Sequence, residues 1–110
     1  HITRHFQEDC LLLFPETEWT AFRERVAAWP MSAAWQKRIV LSNAVALDMD
    51  VSNGRILLSP ELREASRMGK EALLLGNGSH FELWDKQVYA TQEALARAQA
   101  LPEALAHFVF

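Results

Sequence analysis

The sequence reads as an α+β domain, and three observations carry that reading. Short apolar runs such as Cys10–Phe14 and Ala72–Leu75 have the length of buried strands. Trp19, Phe22, Val26 and Trp29 recur at helical spacing. The two patterns alternate along 110 residues with no linker or low-complexity stretch between them, within the roughly 100–200 residues of one ordinary domain. Half of the residues are hydrophobic and 10% are aromatic, enough to bury a core and to exclude a wholly disordered chain.

The elements follow in order. The run Cys10–Phe14 reads as a strand ended by Pro15, and Thr17 is placed to cap a helix carrying Trp19 to Trp29, which Pro30 stops. Ser32 is placed to cap a second helix reaching about Leu41. Val45, Leu47 and Met49 alternate with Ala46 and Asp48, the period of a half-buried strand over Ala44–Met49. Asp50-Val51-Ser52-Asn53-Gly54-Arg55 reads as a turn, since Asn and Gly both tolerate positive φ, and Ile56–Leu58 returns as a strand. Ser59 caps a short helix with Pro60 at its first position, running to about Met68 with Gly69 as its C′ residue. Ala72–Leu75, the turn Gly76–Ser79 and His80–Trp84 form a hairpin. Asp85 then caps a helix from Lys86 to about Ala100, and a tail follows Pro102.

Net charge is −3, which excludes a binder coated in positive charge but not one with a local basic patch. Residues 1–34 carry three basic side chains against five acidic, residues 35–70 six against four, and residues 71–110 two against five. Only the middle segment is positive. One cysteine, Cys10, excludes an intrachain disulfide or a multi-thiolate zinc site and fits a reducing cytosol. No apolar run approaches the ~18 residues of a membrane span, and no secretion signal is visible. No phosphate-binding loop, dinucleotide fingerprint, nucleophile elbow or His-Glu-x-x-His pattern occurs, so no enzyme, cofactor or catalytic residue is expected. His1, His5 and Cys10 lack a fourth ligand, and no metal site is expected.

One internal similarity stands out. Leu11–Trp19 overlays Phe81–Tyr89: a strand with an aromatic last residue, a cap region, then an aromatic opening a helix. If this is a repeat, the chain holds one and a half copies, and the first copy's turn segment falls before His1. The chain starts at His1 rather than Met, which fits an absent front.

Three blocks, Asp9-Cys10-Leu11-Leu12-Leu13-Phe14-Pro15 with Glu18-Trp19, then Gly54-Arg55-Ile56-Leu57-Leu58-Ser59-Pro60-Glu61-Leu62-Arg63, then His80-Phe81-Glu82-Leu83-Trp84-Asp85, resemble the MraZ family of bacterial transcription regulators, within the AbrB-like superfamily. Their order and spacing match over nearly the whole chain. The resemblance implies an AbrB-like swapped-hairpin (double-split) β-barrel with flanking helices, in a single domain over 1–110. Residues 1–31 would be the remainder of a first repeat, 32–100 the second repeat and 101–110 a C-terminal tail. It further implies double-stranded DNA as partner, namely short direct repeats upstream of the protein's own division and cell-wall operon, which it would repress. It implies a ring-shaped homo-oligomer, no membrane association, and a cytoplasmic, nucleoid-associated location.

Carried over residue by residue, Gly54 and Arg55 match the Gly-Arg that ends a DNA-contacting Asp-x-x-x-Arg loop. The family spacing counted back from Arg55 lands on Val51. Either the loop has gained a residue and Asp50 supplies the acid, or the acid is lost here. The chemistry suits DNA. The guanidinium of Arg55 can grip a phosphate or the O6 and N7 edge of guanine, with Asp50 holding its rotamer. Ser52 and Asn53 offer neutral hydrogen bonds to phosphate, and Gly54 permits close backbone approach. The bland alternative is a solvated hairpin tip with a surface ion pair. Lys37 and Arg38 are either extra phosphate contacts or a solvated helix face. Trp19, Trp29, Trp35 and Trp84 are core or subunit-interface anchors, and His80 is a partly exposed sheet residue. From another class, an antidote-like module would bind a protein partner through Lys86–Ala100 and the apolar tail.

Overall fold

The computed structural model describes residues 1–46 and 57–109. Its centre is a four-stranded antiparallel sheet. The strands are β1 (Ile2–Arg4), β2 (Leu11–Leu13), β3 (Ala72–Gly76) and β4 (Phe81–Asp85), in the order β1-β2-β4-β3. The helices are α1 (Glu16–Ala27), α2 (Ala34–Ser42), α3 (Pro60–Ala65) and α4 (Lys86–Ala98), with 3-10 turns at Met31–Ala33 and Glu103–Leu105.

The sheet is two hairpins, β1–β2 and β3–β4, joined through their second strands. The joining register is Leu11↔Leu83, Leu12↔Glu82, Leu13↔Phe81. Moving each β2 residue to its counterpart 70 positions on exchanges the two strands and leaves this register unchanged, with Leu12↔Glu82 at its centre. The outer strands follow the same local two-fold. Ile2 pairs with Leu13 as Leu74 pairs with Leu83, so Ile2 and Leu74 are counterparts. The helices after β2 and β4 also correspond. Phe14 meets Trp19 with ring centroids 5.9 Å apart, and Trp84 meets Tyr89 at 5.4 Å.

Alternation divides the core between the two sheet faces. On one face Ile2, Leu11 and Leu83 are buried beneath Leu62 of α3, with Leu58 and Met68 packed alongside. On the other, Leu12 and Phe14 pack with Trp19 of α1, while Cys10 and Trp84 pack with Val88 of α4. The helix α2 is tied to β1 by a hydrogen bond from the Thr3 hydroxyl to the carbonyl of Val40.

Local chemistry sets most boundaries. Ser59 caps α3, its hydroxyl accepting from the Leu62 N–H at 3.3 Å. Asp85 caps α4, its carboxylate accepting from the N–H groups of Gln87 and Val88, each at 3.0 Å. In the β3–β4 turn Gly78 takes φ +81°, and the Asn77 N–H donates to the carbonyl of His80 at 2.8 Å.

Several expectations are corrected. Thr17 does not cap α1: the helix begins two residues earlier because Pro15 occupies the cap position and its carbonyl accepts from the Trp19 N–H at 2.8 Å. Ser32 lies inside the 3-10 turn and caps nothing, since α2 follows from Ala33. Leu57 and Leu58 belong to no strand: Leu58 packs sideways into the α3 cluster and Leu57 is exposed. Of the strand expected over Ala44–Met49, the described part contributes one antiparallel bridge, Ile2↔Val45. The helix α3 ends at Ala65, with Arg67 rather than Gly69 taking the left-handed conformation at φ 55°. Gly69 serves close approach instead. Its N–H donates to the Asp85 carboxylate at 2.8 Å, and a Cβ there would stand 3.0 Å from the same oxygen. The strand β1 was not foreseen. Among the described residues the sheet does not close on itself: β1 and β3 are its outer strands.

Candidate nucleic-acid interface

All five expected DNA-contacting residues, Asp50, Ser52, Asn53, Gly54 and Arg55, lie outside the described residues. What the structure supplies is the mount on either side. Before the segment, α2 closes with the Asn43 side-chain amide donating to the Ile39 carbonyl at 2.7 Å. Val45 then exchanges two backbone hydrogen bonds with Ile2, both 2.9 Å. After the segment, Leu58 and Leu62 pack into the cluster that contains Ile2. The stretches on both sides are thus tied to the fully buried Ile2, one by backbone hydrogen bonds and the other through the shared apolar cluster.

Other basic groups of the positive middle segment are placed individually. The Lys37 ammonium donates to the carbonyl of Ala27 at 2.9 Å, near the end of α1. The Arg38 guanidinium lies 4.4 Å from the Trp35 ring centre, a cation–π contact between two exposed side chains. Arg67 pairs with Asp9 across 3.4 Å in solvent, and such exposed pairs contribute ~0–1 kcal/mol. Arg63, exposed on α3, has no ion-pair partner among the described residues.

The remaining candidates separate. Trp19 and Trp84 are core residues, Trp29 is half-buried, and Trp35, 68% exposed, is not a core residue. His80 is half-buried beside the β3–β4 turn and stacks on Phe14 at 4.8 Å. His1 stacks on Trp19 at 5.0 Å, while the His5 Nδ1 accepts from the N–H groups of Gln7 and Glu8 at 3.0 and 3.1 Å. Cys10 is buried, and burial first, with Glu82, Glu8 and Asp9 adding to it, pushes its thiol up to about 12. Among the described residues no three His, Cys, Asp or Glu side chains gather as a metal-ligand group. No helix among them is long and apolar enough to cross a membrane.

These features define a class: a small α+β protein built on paired antiparallel hairpins with helices on both sheet faces. The family model described as "MraZ protein, putative antitoxin-like" matches residues 40–107. A curated protein of Burkholderia mallei (strain SAVP1), named Transcriptional regulator MraZ, is 56% identical over 109 residues, covering 99% of this chain and 75% of that protein. The same name, identity and coverage are found in Burkholderia pseudomallei (strain 668). The Burkholderia vietnamiensis (strain G4) protein of that name is 55% identical with the same coverage. The chain belongs to the MraZ family.

Proposed function

We propose that this chain is a sequence-specific DNA-binding transcriptional regulator. The observation that carries the proposal is the 56% identity, over 99% of the chain, to proteins named as transcriptional regulators. The positive middle segment and the paired anchors at Ile2 support it. Arg55 is the principal DNA contact, oriented by Asp50, with Ser52 and Asn53 on phosphate and Gly54 allowing approach. One such loop binds weakly. A ring-shaped homo-oligomer presents many loops to short direct repeats, and linked weak contacts gain through effective concentration. The target is the region upstream of its own division and cell-wall operon, which it represses in the cytoplasm, at the nucleoid.

The same proposal extends to the fold: one domain over 1–110, with 1–31 from a first unit, 32–100 forming a second and 101–110 a tail, the units interlocking as a swapped-hairpin barrel. The two-fold register supports it. So does an asymmetry in cover. Ile2 and Leu11 are fully buried beneath α3, whereas their counterparts Leu74 and Phe81 are 52% and 40% exposed. The β3 side thus presents an apolar surface matching the one that α3 and Val45 cover on the β1 side.

Binding of the full chain to its upstream region, followed by fluorescence anisotropy at several salt concentrations, tests the function. Affinity should fall steeply with salt as phosphate contacts release counterions. Arg55→Ala should weaken specific binding about tenfold or more, given ~1–3 kcal/mol for a good base contact. Unchanged binding would remove the loop from the interface. A second reading, an antitoxin-like module, draws on the exposure of Leu95, Leu101 and Val109 along α4 and the tail. A pull-down retaining one stoichiometric protein and no DNA would favour it.

A further inference from the structure

The sheet face that carries α1 and α4 is not filled evenly. Beside the central Leu12↔Glu82 pair lies a cavity of about 240 Å³, open on one side. Its walls come from the β1–β2 link, from α1 and the residues just after it, and from the β3–β4 turn. Its lining includes the rings of Phe6, Phe14, Phe22 and Trp29, the imidazoles of His5 and His80, and Glu82. The rings are held in fixed attitudes. Phe14 stacks on Phe22 at 4.3 Å and on His80 at 4.8 Å, and Phe6 meets Trp29 edge-on at 5.4 Å. Phe22, Trp29, Phe6 and Glu82 are all half-buried, so the apolar surface is reachable from solvent.

Glu82 is the decisive side chain. It is a half-buried acid on the strand's inner face, opposite the buried Leu12. One of its oxygens accepts from the Trp84 indole N–H at 3.0 Å. No lysine or arginine pairs with it among the described residues. Aromatic rings and a carboxylate without a cationic partner among the described residues border the same space, and a cation with an apolar body suits both. The volume lies below the roughly 300–1,000 Å³ of drug-sized sites, so a single-ring amine is the appropriate size.

We propose that this cavity binds a small organic ammonium ion carrying an apolar body. Glu82 takes the ammonium group, and Phe22, Trp29 and Phe6 enclose the rest. The inference uses none of Asp50, Ser52, Asn53, Gly54 and Arg55, so it does not depend on DNA binding.

The test titrates the full chain with three probes of one shape, phenethylammonium, 2-phenylethanol and phenylacetate, following the Trp29 indole resonance by NMR. Phenethylammonium should shift it saturably, the alcohol should bind about tenfold more weakly, and phenylacetate should leave it unmoved. Glu82→Gln keeps an acceptor for the Trp84 indole. It should bring the ammonium ion down to the affinity of the alcohol while leaving the alcohol unchanged, which also shows that the variant is folded. Should Glu82→Gln lose both ligands, Trp29→Leu replaces it, read through the indole resonance of Trp84, which donates to Glu82: losing the Trp29 ring must weaken the ammonium ion more than the alcohol. Equal binding of the three probes, no shift with any of them, or a cation affinity indifferent to both substitutions would overturn the proposal.

Discussion

Truncating the two counterparts Ile2 and Leu74 to alanine should have unequal costs. Ile2 is 0% exposed, packed with Leu11, Leu62 and Leu83, and its replacement removes a fully buried side chain and leaves a cavity. Such truncations cost about 2–5 kcal/mol. Leu74 occupies the matching place in the other hairpin but is 52% exposed. Burying a leucine completely contributes about 1.5–3 kcal/mol, so half of that, about 1 kcal/mol, is at stake, with no closed cavity to add. The expected difference is about 2 kcal/mol, equivalent to ~10 °C in Tm for a domain of this size. Urea unfolding of both variants under one set of conditions, with m-values compared to confirm a common denatured state, measures it. Equal losses at the two positions would refute the reasoning. They would mean that the β3 side in solution is as fully covered as the β1 side.

Further outcomes follow from individual residues. The N–H groups of Val88 and Gly69 above all, and then Gln87, hold the Asp85 carboxyl below its usual value. That contribution is present above the unfolded pKa and lost as pH falls through the lower folded one. Asp85→Asn should therefore melt lower at neutral pH and show a shallower fall in Tm below about pH 4; parallel acid slopes would show the carboxylate to be unimportant. Cys10, buried with its thiol pushed up to about 12, should resist a disulfide-exchange reagent at pH ~8 until the chain is unfolded, and rapid reaction of the folded chain would contradict this burial. Arg67→Gly relieves the positive φ of 55° and gives up only an exposed ion pair, so its Tm should hold or rise, whereas Arg67→Val should lower it; equal losses would mean that the pair with Asp9 outweighs the backbone.

Elements set by adjacent residues were legible in the sequence. Ser59-Pro60 announces α3, Asp85 announces α4, and Gly76–Ser79 announces the turn between β3 and β4, because each signal acts within four residues of the backbone groups it satisfies. The strand β1 was not legible. Ile2-Thr3-Arg4 is three residues with no alternation to read, and it becomes a strand through β2 on one side and Val45 on the other. The left-handed position after α3 was misplaced for a related reason. Gly69 is small because Asp85, sixteen residues on, needs its N–H at close range, and nothing local distinguishes that need from a helix cap. Arg55 and its neighbours lie outside the described residues, and the contacts of the two flanking stretches with Ile2 and its cluster were not legible, because Ile2 lies more than forty positions from either. The cavity escaped the sequence altogether. Phe14 and Phe22 fit a core pattern, and only the fold sets them beside Trp29 and an acid from another hairpin.

The pair Leu12↔Glu82 connects these observations. An offset of 70 between two strand–cap–helix runs is weak evidence by itself, since that unit is common. A register unchanged by the exchange is a stronger constraint, because a one-residue slip would move every side chain to the other face. Two hairpins that meet this way need not be equally covered, and here they are not. The helix α3 precedes β3 in the chain, yet its Leu62 packs with Ile2 and Leu11 of the other hairpin. The helix before one hairpin thereby covers the other. That arrangement separates duties within a short chain. The Leu11–Leu83 core holds the sheet, the edge at Ile2 holds Val45, and the opposite face keeps space beside Glu82.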